Sequence, residues 1–158
     1  MKTLPALLQD LPESFWEVPY DGTRYPGVVP PGDIGPGANC HLFAYAVLAQ
    51  FGFTLPELRS AELWRDTTST RVVLSPQPLD LVLFHDRQQA FGAHCGVVCS
   101  ENEVVHLSKE VGRPAVWTFA QFAATPRFSQ LIGIKRPLYR SAATPGSRTT
   151  SAAAGCAQ

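Results

Sequence analysis

The 158-residue sequence contains no apolar run long enough to cross a lipid bilayer. Near its start, a short apolar stretch at 4–8 is followed at once by Gln9, Asp10 and Glu13, so it is too short for the core of a signal peptide. We therefore expect a cytoplasmic protein without a membrane partner. The alternatives are export by a signal-independent route and a signal peptide that is missing from this sequence.

The chain also lacks an excess of charge of either sign. Its 13 basic and 13 acidic residues balance, and the basic residues form no stripe or polybasic segment. Proteins that bind nucleic acid or an anionic membrane surface usually carry such a positive patch. We expect neither of these partners, and the sequence leaves the oligomeric state open.

The four cysteines lack the spacing of a disulfide framework or a metal site. Cys95 and Cys99 lie four residues apart on one predicted strand, too far apart to bridge, and Cys156 lies near the end of the chain. The chain has no C-x-x-C or H-E-x-x-H pattern, and strand neighbours such as His94 and Cys95 point to opposite faces. Zinc-type ligands are present, but we expect reduced thiols and neither a metal nor another cofactor.

One cysteine lies where a thiol becomes reactive. Residues 18–39 are rich in proline and glycine and predict a long ordered loop, whereas residues 40–51 are apolar nearly all round and predict a buried helix. Asn39 is a good N-cap and Gly52 a good stop, so Cys40 falls in the first helical turn. The free backbone N–H groups and the positive end of the helix dipole stabilise a thiolate there.

The pattern along the whole chain predicts an α+β domain. Further short helices are expected at 3–9, 56–66 and 119–123, and strands at 72–74, 81–84, 94–99, 103–107, 115–117 and 130–135. Helices come first and strands later, which favours an antiparallel sheet of about five to six strands with the Cys40 helix packed against one of its faces. We expect a single catalytic domain over 1–140 and a disordered tail, rich in Ser, Thr and Ala, over 141–158.

Two histidines lie on strands that a turn at 100–102 would join as a hairpin. The apolar face with Cys95 and Cys99 is a core face, and we expect His94, on the other face, to point towards the helix that carries Cys40. A two-residue turn would place His94 and His106 on opposite faces, whereas a three-residue turn or a bulge would place them on the same face. A shared catalytic role therefore predicts an irregular turn near 99–103.

If the histidines share a face, a catalytic triad follows. Cys40 is the nucleophile, His94 takes its proton and later protonates the leaving amine, and His106 orients His94. The Cys40 backbone N–H supplies one donor to the oxyanion, and a loop tyrosine, Tyr25 or Tyr20, supplies a second.

Four segments in this order resemble the NlpC-type cysteine peptidases, papain-like enzymes that cut bacterial cell-wall peptides. They are Asn-Cys-His-Leu-Phe at 39–43 followed by Phe-Gly-Phe-Thr-Leu-Pro at 51–56, Leu-Asp-Leu-Val-Leu-Phe at 79–84, His-Cys-Gly-Val-Val at 94–98, and Val-Val-His-Leu-Ser at 104–108. The resemblance covers about residues 20–136. It implies a papain-like fold, a Cys40–His94–His106 triad and a murein-type peptide as substrate.

The chain departs from the family's pattern beside the nucleophile. The family usually has Asp-Cys-Ser-Gly, whereas His41 and Leu42 follow Cys40 here. His41 would lie on the surface of the first turn or line the cleft as a substrate contact, and Tyr25, 15 residues before Cys40, is the counterpart of a family tyrosine. The alternatives to peptide hydrolysis are an acyltransferase or deamidase that uses the same thioester, and an inactive peptide-binding module.

Overall fold

The structure, a computed structural model, describes residues 4–138 and 140. Its central helix, α1 (Cys40–Gln50), begins at the cysteine as expected. The Asn39 side chain accepts a hydrogen bond from the Leu42 backbone N–H at 2.8 Å, which satisfies one of the free donors of the first turn. Gly52 follows the helix with a φ of 90°, a conformation that favours glycine. Both ends of α1 are thus set by local sequence.

The loop at 18–39 is held together by Arg24. Its guanidinium donates to the carbonyl oxygens of Gly37 and Asp33 at 2.8 and 2.7 Å. Its own carbonyl accepts from the Asn39 N–H at 2.8 Å. Because Asn39 caps α1, these bonds tie the loop to the start of the helix and hold Cys40 in a defined place.

Six strands form one antiparallel sheet in the spatial order β1-β6-β2-β3-β4-β5. They are β1 (Thr70–Val73), β2 (Leu81–His85), β3 (His94–Val98), β4 (Glu103–Leu107), β5 (Pro114–Thr118) and β6 (Gln130–Pro137). The last strand inserts between β1 and β2, so the sheet is completed only by its most C-terminal element. The expected α+β class, with a helix packed on an antiparallel sheet of five to six strands, is confirmed.

Each face of the sheet packs against a different layer. We call the face that packs on α1 the helix face; its buried residues include Leu81, Leu83, Cys95, Val97 and Val105. The opposite face packs against α3 (Phe119–Ala123) and the 3-10 helix Pro126–Phe128, and we call it the aromatic face; its cluster is Val82, Phe84, Val98, Val104, Phe122, Phe128 and Ile134. The sheet is therefore the middle of three layers.

The expected direction of His94 was wrong. Alternation along β3 puts Cys95 and Val97 on the helix face, so His94 lies on the aromatic face, where its ring stacks on Phe128 at a centroid distance of 4.5 Å. His94 is the first residue of β3, and that end of the strand lies beside the N-terminus of α1. His94 therefore lines the same cavity as Cys40, although it lies on the opposite face of the sheet from α1.

The second helix is shorter than expected. α2 spans Ser60–Arg65 instead of 56–66. The Glu62 carboxylate accepts from the Arg59 backbone N–H at 2.9 Å, which starts the helix there instead of at Pro56. Arg59 consequently stands at the end of an irregular segment, beside the cavity described below.

The ends of the chain were predicted less well than its centre. Two 3-10 helices, Ala6–Asp10 and Glu13–Glu17, replace the single helix expected at 3–9. The tail expected at 141–158 lies outside the described residues, and the single catalytic domain over 1–140 stays a prediction. Within residues 4–138 and 140, no helix has the length and apolar character needed to cross a membrane.

Candidate active site

Cys40, His41 and His94 line one cavity of about 460 Å³ at the N-terminus of α1. The other lining residues are Tyr20, Asn39, Arg59, Ser60, Phe84, His85, Asp86, Gly92, Ala93, Lys109, Glu110, Arg127 and Phe128. Six separate parts of the chain thus meet here: the loop before α1, the start of α1, the start of α2, the connection between β2 and β3, the segment before β5 and the segment before β6. Cys40 is a half-buried residue of the cavity wall.

The turn between β3 and β4 meets the condition for a shared face. Val97 pairs with Val105, and Val98 with Val104, while the Cys99 N–H donates to the Glu103 carbonyl at 2.9 Å. Residues 100–102 therefore form a three-residue turn, and the predicted irregular turn is confirmed. This register leaves the two histidines on the same face of the sheet.

The register also brings the two imidazole rings within hydrogen-bonding distance of each other. His94 Nε2 lies 2.8 Å from His106 Nδ1, and both rings are buried. A neutral His94 that is to accept a proton on Nδ1 carries its own proton on Nε2 and donates it to His106. His106 then keeps its single proton on Nε2, a buried atom without a hydrogen-bond partner among the described residues. The pair can thus hold His94 in the tautomer that a general base requires.

An aromatic enclosure surrounds this histidine pair. The His106 ring lies 4.6 Å from Trp117 and 4.7 Å from Phe122, and Phe128 covers His94. Burial lowers the pKa of His106 to about 3. Burial, with the neighbouring charge that a protonated His106 would carry, also holds the pKa of His94 well below its ordinary value. Both imidazoles are therefore neutral at neutral pH, which leaves His94 free to accept a proton.

The thiol itself departs from the expectation of a stable thiolate. Burial raises the pKa of Cys40, and backbone N–H groups of Cys95, His41 and Cys40 itself lower it, with a smaller lowering from the charge of Arg127. The desolvation of the charged sulfur outweighs the helix N-terminus, so the resting site pairs a thiol with neutral imidazoles. Attack by sulfur therefore requires that His94 takes the proton as the new bond forms.

His41 is buried, and only 5% of its surface is exposed, so it is not a surface residue of the first turn. Its Nδ1 lies 3.3 Å from the Cys40 sulfur. Burial, helped by the positive charge of Arg59, lowers its pKa to about 4. Of the two placements expected for His41, the structure shows the one that lines the cleft.

Of the two loop tyrosines, the structure brings Tyr20 to the thiol. Tyr20 lines the cavity, and burial together with the nearby Cys40 raises the pKa of its hydroxyl, which therefore stays a donor. Tyr25 does not line the cavity; the guanidinium of Arg59 covers its ring at 4.2 Å. Tyr20 is thus better placed than Tyr25 to donate to an oxyanion, and Tyr25 supports a residue of the cavity wall.

Several cavity residues had no signal in the sequence. Arg127 forms an ion pair with Glu110 at 2.5 Å, and its charge acts on both Cys40 and His94. Phe128 follows it in the same 3-10 helix. This helix lies between α3 and β6 and is more than 85 residues after the nucleophile, so only the fold brings it to the site.

The cysteine and histidines of the cavity do not form a metal centre. Across the residues that the structure describes, no three His, Cys, Asp or Glu side chains are grouped so that they could share an ion. The expectation that the chain needs no cofactor stays a prediction.

Gly96 is a further residue on which the histidine pair depends. A β-carbon there would lie 2.5 Å from Val104 Cγ1 and 3.3 Å from His106 Cβ. We expect Gly96→Ala to lower the free energy of unfolding by about 1–3 kcal/mol and to displace His106 from His94. Urea unfolding measures the first effect. Gly35→Ala is the control, since nothing lies within 4 Å of its added carbon; equal losses in both variants would contradict the prediction.

The depressed histidine pKa values predict a stability that falls in mild acid. Histidines of the unfolded chain take up protons near their ordinary pKa of about 6.5. In the folded protein the pKa is about 4 for His41 and about 3 for His106, so these two side chains stay unprotonated to a lower pH. The stability is therefore fully present above pH 6.5 and is lost as the pH falls towards these lower values.

The share of this loss that comes from His106 can be measured separately. We expect His106→Phe, which keeps an aromatic ring in the enclosure, to flatten the slope of unfolding free energy between pH 6.5 and 5 by up to about 1.4 kcal/mol per pH unit. Urea titrations at several pH values measure it. A variant with the wild-type slope would show that His106 is not held neutral.

Comparison with known proteins identifies the fold. No protein-family model matches the chain, and no curated protein matches it. A crystal structure from Staphylococcus aureus subsp. aureus Mu50, described as similar to a lipoprotein of the NLP/P60 family, matches with a TM-score of 0.54 and 18% identity over 89% of this chain. The match covers 44% of that protein, so this chain spans less than half of its length.

A second solved structure, the NlpC/p60 domain of the peptidoglycan hydrolase SagA, matches with a TM-score of 0.49 and 14% identity over 84% of this chain and 97% of that domain. The likeness to the S. aureus protein shows that this chain has an NlpC/P60-type fold, as the sequence motifs implied.

Proposed function

We propose that this chain is a cysteine peptidase or amidase that hydrolyses a peptide amide bond through a thioester on Cys40. The observation that carries the proposal is one cavity that holds a helix-start thiol and a neutral histidine, with that histidine hydrogen-bonded at 2.8 Å to a second one. The NlpC-type motifs at the same positions support murein-type peptides as the substrate class.

In the proposed reaction His94 first accepts and then returns a proton in each half-reaction. The Cys40 sulfur attacks the amide carbon while His94 Nδ1 takes the thiol proton, and His106 accepts a hydrogen bond from the imidazolium so formed. The Cys40 backbone N–H and the Tyr20 hydroxyl donate to the oxyanion. His94 returns its proton to the leaving amine, which departs as the C–N bond breaks. His94 then takes a proton from water as its oxygen attacks the thioester carbon, and returns that proton to the Cys40 sulfur as the C–S bond breaks.

The charge of the cavity suits an anionic peptide. Arg127 is paired with Glu110, and Asp86 with Arg87, whereas no carboxylate among residues 4–138 and 140 pairs with Arg59 or Lys109. These two side chains leave positive charge on the cavity wall. We therefore propose a substrate that carries a free carboxylate close to the scissile amide, which is a property of murein peptides.

The cytoplasmic location of the protein stays a prediction.

The test is incubation with defined murein peptides whose carboxylates are either free or amidated, followed by mass analysis of the products. Hydrolysis gains one water and yields two fragments, and we expect it to be faster for the free carboxylates. A product joined to an added amine would show acyl transfer instead, and loss of ammonia without fragmentation would show deamidation. Peptides that bind but stay intact would favour the inactive binding module and would contradict the proposal.

A further inference from the structure

We propose that His41 is a positioning residue for the nucleophile, because its neutral imidazole donates Nδ1–H to the Cys40 sulfur and stabilises the thiolate that forms during attack. The inference rests on the proposed function, since it takes Cys40 as the nucleophile. It gives His41 and His94 different tasks at the same sulfur: one supplies a hydrogen bond and the other removes the proton.

The geometry holds the two groups together. His41 Nδ1 lies 3.3 Å from the Cys40 sulfur, within hydrogen-bonding distance for sulfur. The ring meets Tyr45 edge to face at a centroid distance of 6.1 Å, and the Tyr45 hydroxyl is itself anchored by donating to the Leu58 carbonyl at 2.7 Å. The imidazole is thus buried between the thiol and a tyrosine that has its own fixed partner.

The protonation state determines what this imidazole can do. With a pKa of about 4, His41 carries one proton at neutral pH. While the Cys40 sulfur is a thiol, the hydrogen bond between the two residues can be donated either by the S–H of Cys40 or by the Nδ1–H of His41. Once sulfur is a thiolate it can only accept, so the proton of His41 must lie on Nδ1. The resulting bond to a charged acceptor is stronger than one between neutral groups.

The same reasoning explains why His94 and not His41 takes the proton. An imidazolium donates from both nitrogens, and each buried N–H needs an acceptor. His94 has one, because its Nε2 faces His106 Nδ1 at 2.8 Å. His41 Nε2 is buried without a hydrogen-bond partner among the described residues. An imidazolium at His94 therefore has an acceptor for its second N–H, and one at His41 has none.

The test measures the pH dependence of Cys40 alkylation by iodoacetamide, followed by peptide mass mapping. His41→Phe keeps a ring beside Tyr45 and removes the donor, so we expect the apparent pKa of the thiol to rise by about one unit and the rate at pH 7 to fall about tenfold. His41→Asn places an amide N–H near the position of Nδ1, and we expect it to stay within about threefold of the wild type. An unchanged or lowered thiol pKa in His41→Phe would overturn the inference.

A second measurement needs no variant. In wild-type protein with 15N-labelled histidine, the nitrogen shifts of His41 above the thiol pKa should report the Nδ1–H tautomer, and an Nε2–H tautomer there would overturn the inference. Alkylation and tautomer do not depend on turnover. A chain that cleaves no peptide, but whose thiol pKa still follows residue 41, would contradict the proposed function and support the role of His41.

Discussion

Cys40→Ala should reduce amide hydrolysis to the uncatalysed background, a loss of at least about 10⁴-fold in kcat/KM. The reason is that no other cysteine of the described chain lies on the cavity wall, so nothing else can form the thioester. Steady-state hydrolysis of the best murein peptide measures the effect. The substitution removes one sulfur from a half-buried position, so we expect only a small change in the melting temperature.

Cys95→Ala is the matched control. Cys95 is fully buried, and its backbone N–H, which the substitution retains, is one of the groups that lower the pKa of Cys40. We expect Cys95→Ala to retain most of the activity and to lose some stability. Acid-quenched wild-type protein should carry an acyl group that increases its mass, and Cys40→Ala should not. A Cys40→Ala variant that still turns over, or an acyl group found on Cys95, would contradict the assignment of the nucleophile.

The sequence was sufficient for the features that local chemistry controls. An Asn39 side chain before an apolar run predicts a helix that begins at Cys40, because the cap needs only groups within one turn. The strands at 81–84, 94–99 and 103–107 follow from β-branched and apolar residues, and the structure has strands at these places. The first strand ends one residue later than predicted, at His85, and the second ends one residue earlier, at Val98. The prediction of an irregular turn followed from one fact alone, that His94 and His106 are an even number of residues apart on the two strands of one hairpin.

The direction of His94 could not be obtained in this way. Alternation along a strand separates two faces, but it does not say which face a helix covers when both are apolar. Here Val98 and Val104 make the aromatic face as buried as the face under α1. The position of Tyr20, rather than Tyr25, beside the thiol could not be predicted either, because residue spacing in an irregular loop does not fix the path of the chain. The position of Arg127 in the cavity wall depends on how a distant segment packs.

The second large effect is expected for His94→Gln, which should lower kcat/KM by about 10³-fold or more near neutral pH. The side-chain amide nitrogen of glutamine can replace Nε2 of the imidazole, so the hydrogen bond to His106 Nδ1 can be kept while the base at Nδ1 is lost. Because burial raises the pKa of the Cys40 thiol, little thiolate forms without a base. The variant must then rely on spontaneous ionisation of the thiol, and its deficit should narrow as the pH rises.

His85→Gln is the control that separates this role from a general effect of removing a histidine from the cavity. His85 lines the same cavity, but its Nδ1 has the Asp86 carboxylate as a partner at 2.8 Å, and it lies outside the proposed triad. We expect its kcat/KM to stay within a few-fold of the wild type at every pH, because neither the nucleophile nor its proton acceptor has changed. If the loss of kcat/KM in His94→Gln is the same at every pH, His94 has a structural role. A missing base would instead be compensated at high pH, where the thiol ionises without it. Equal losses in the two variants would likewise mean that His94 has no special relation to the thiol.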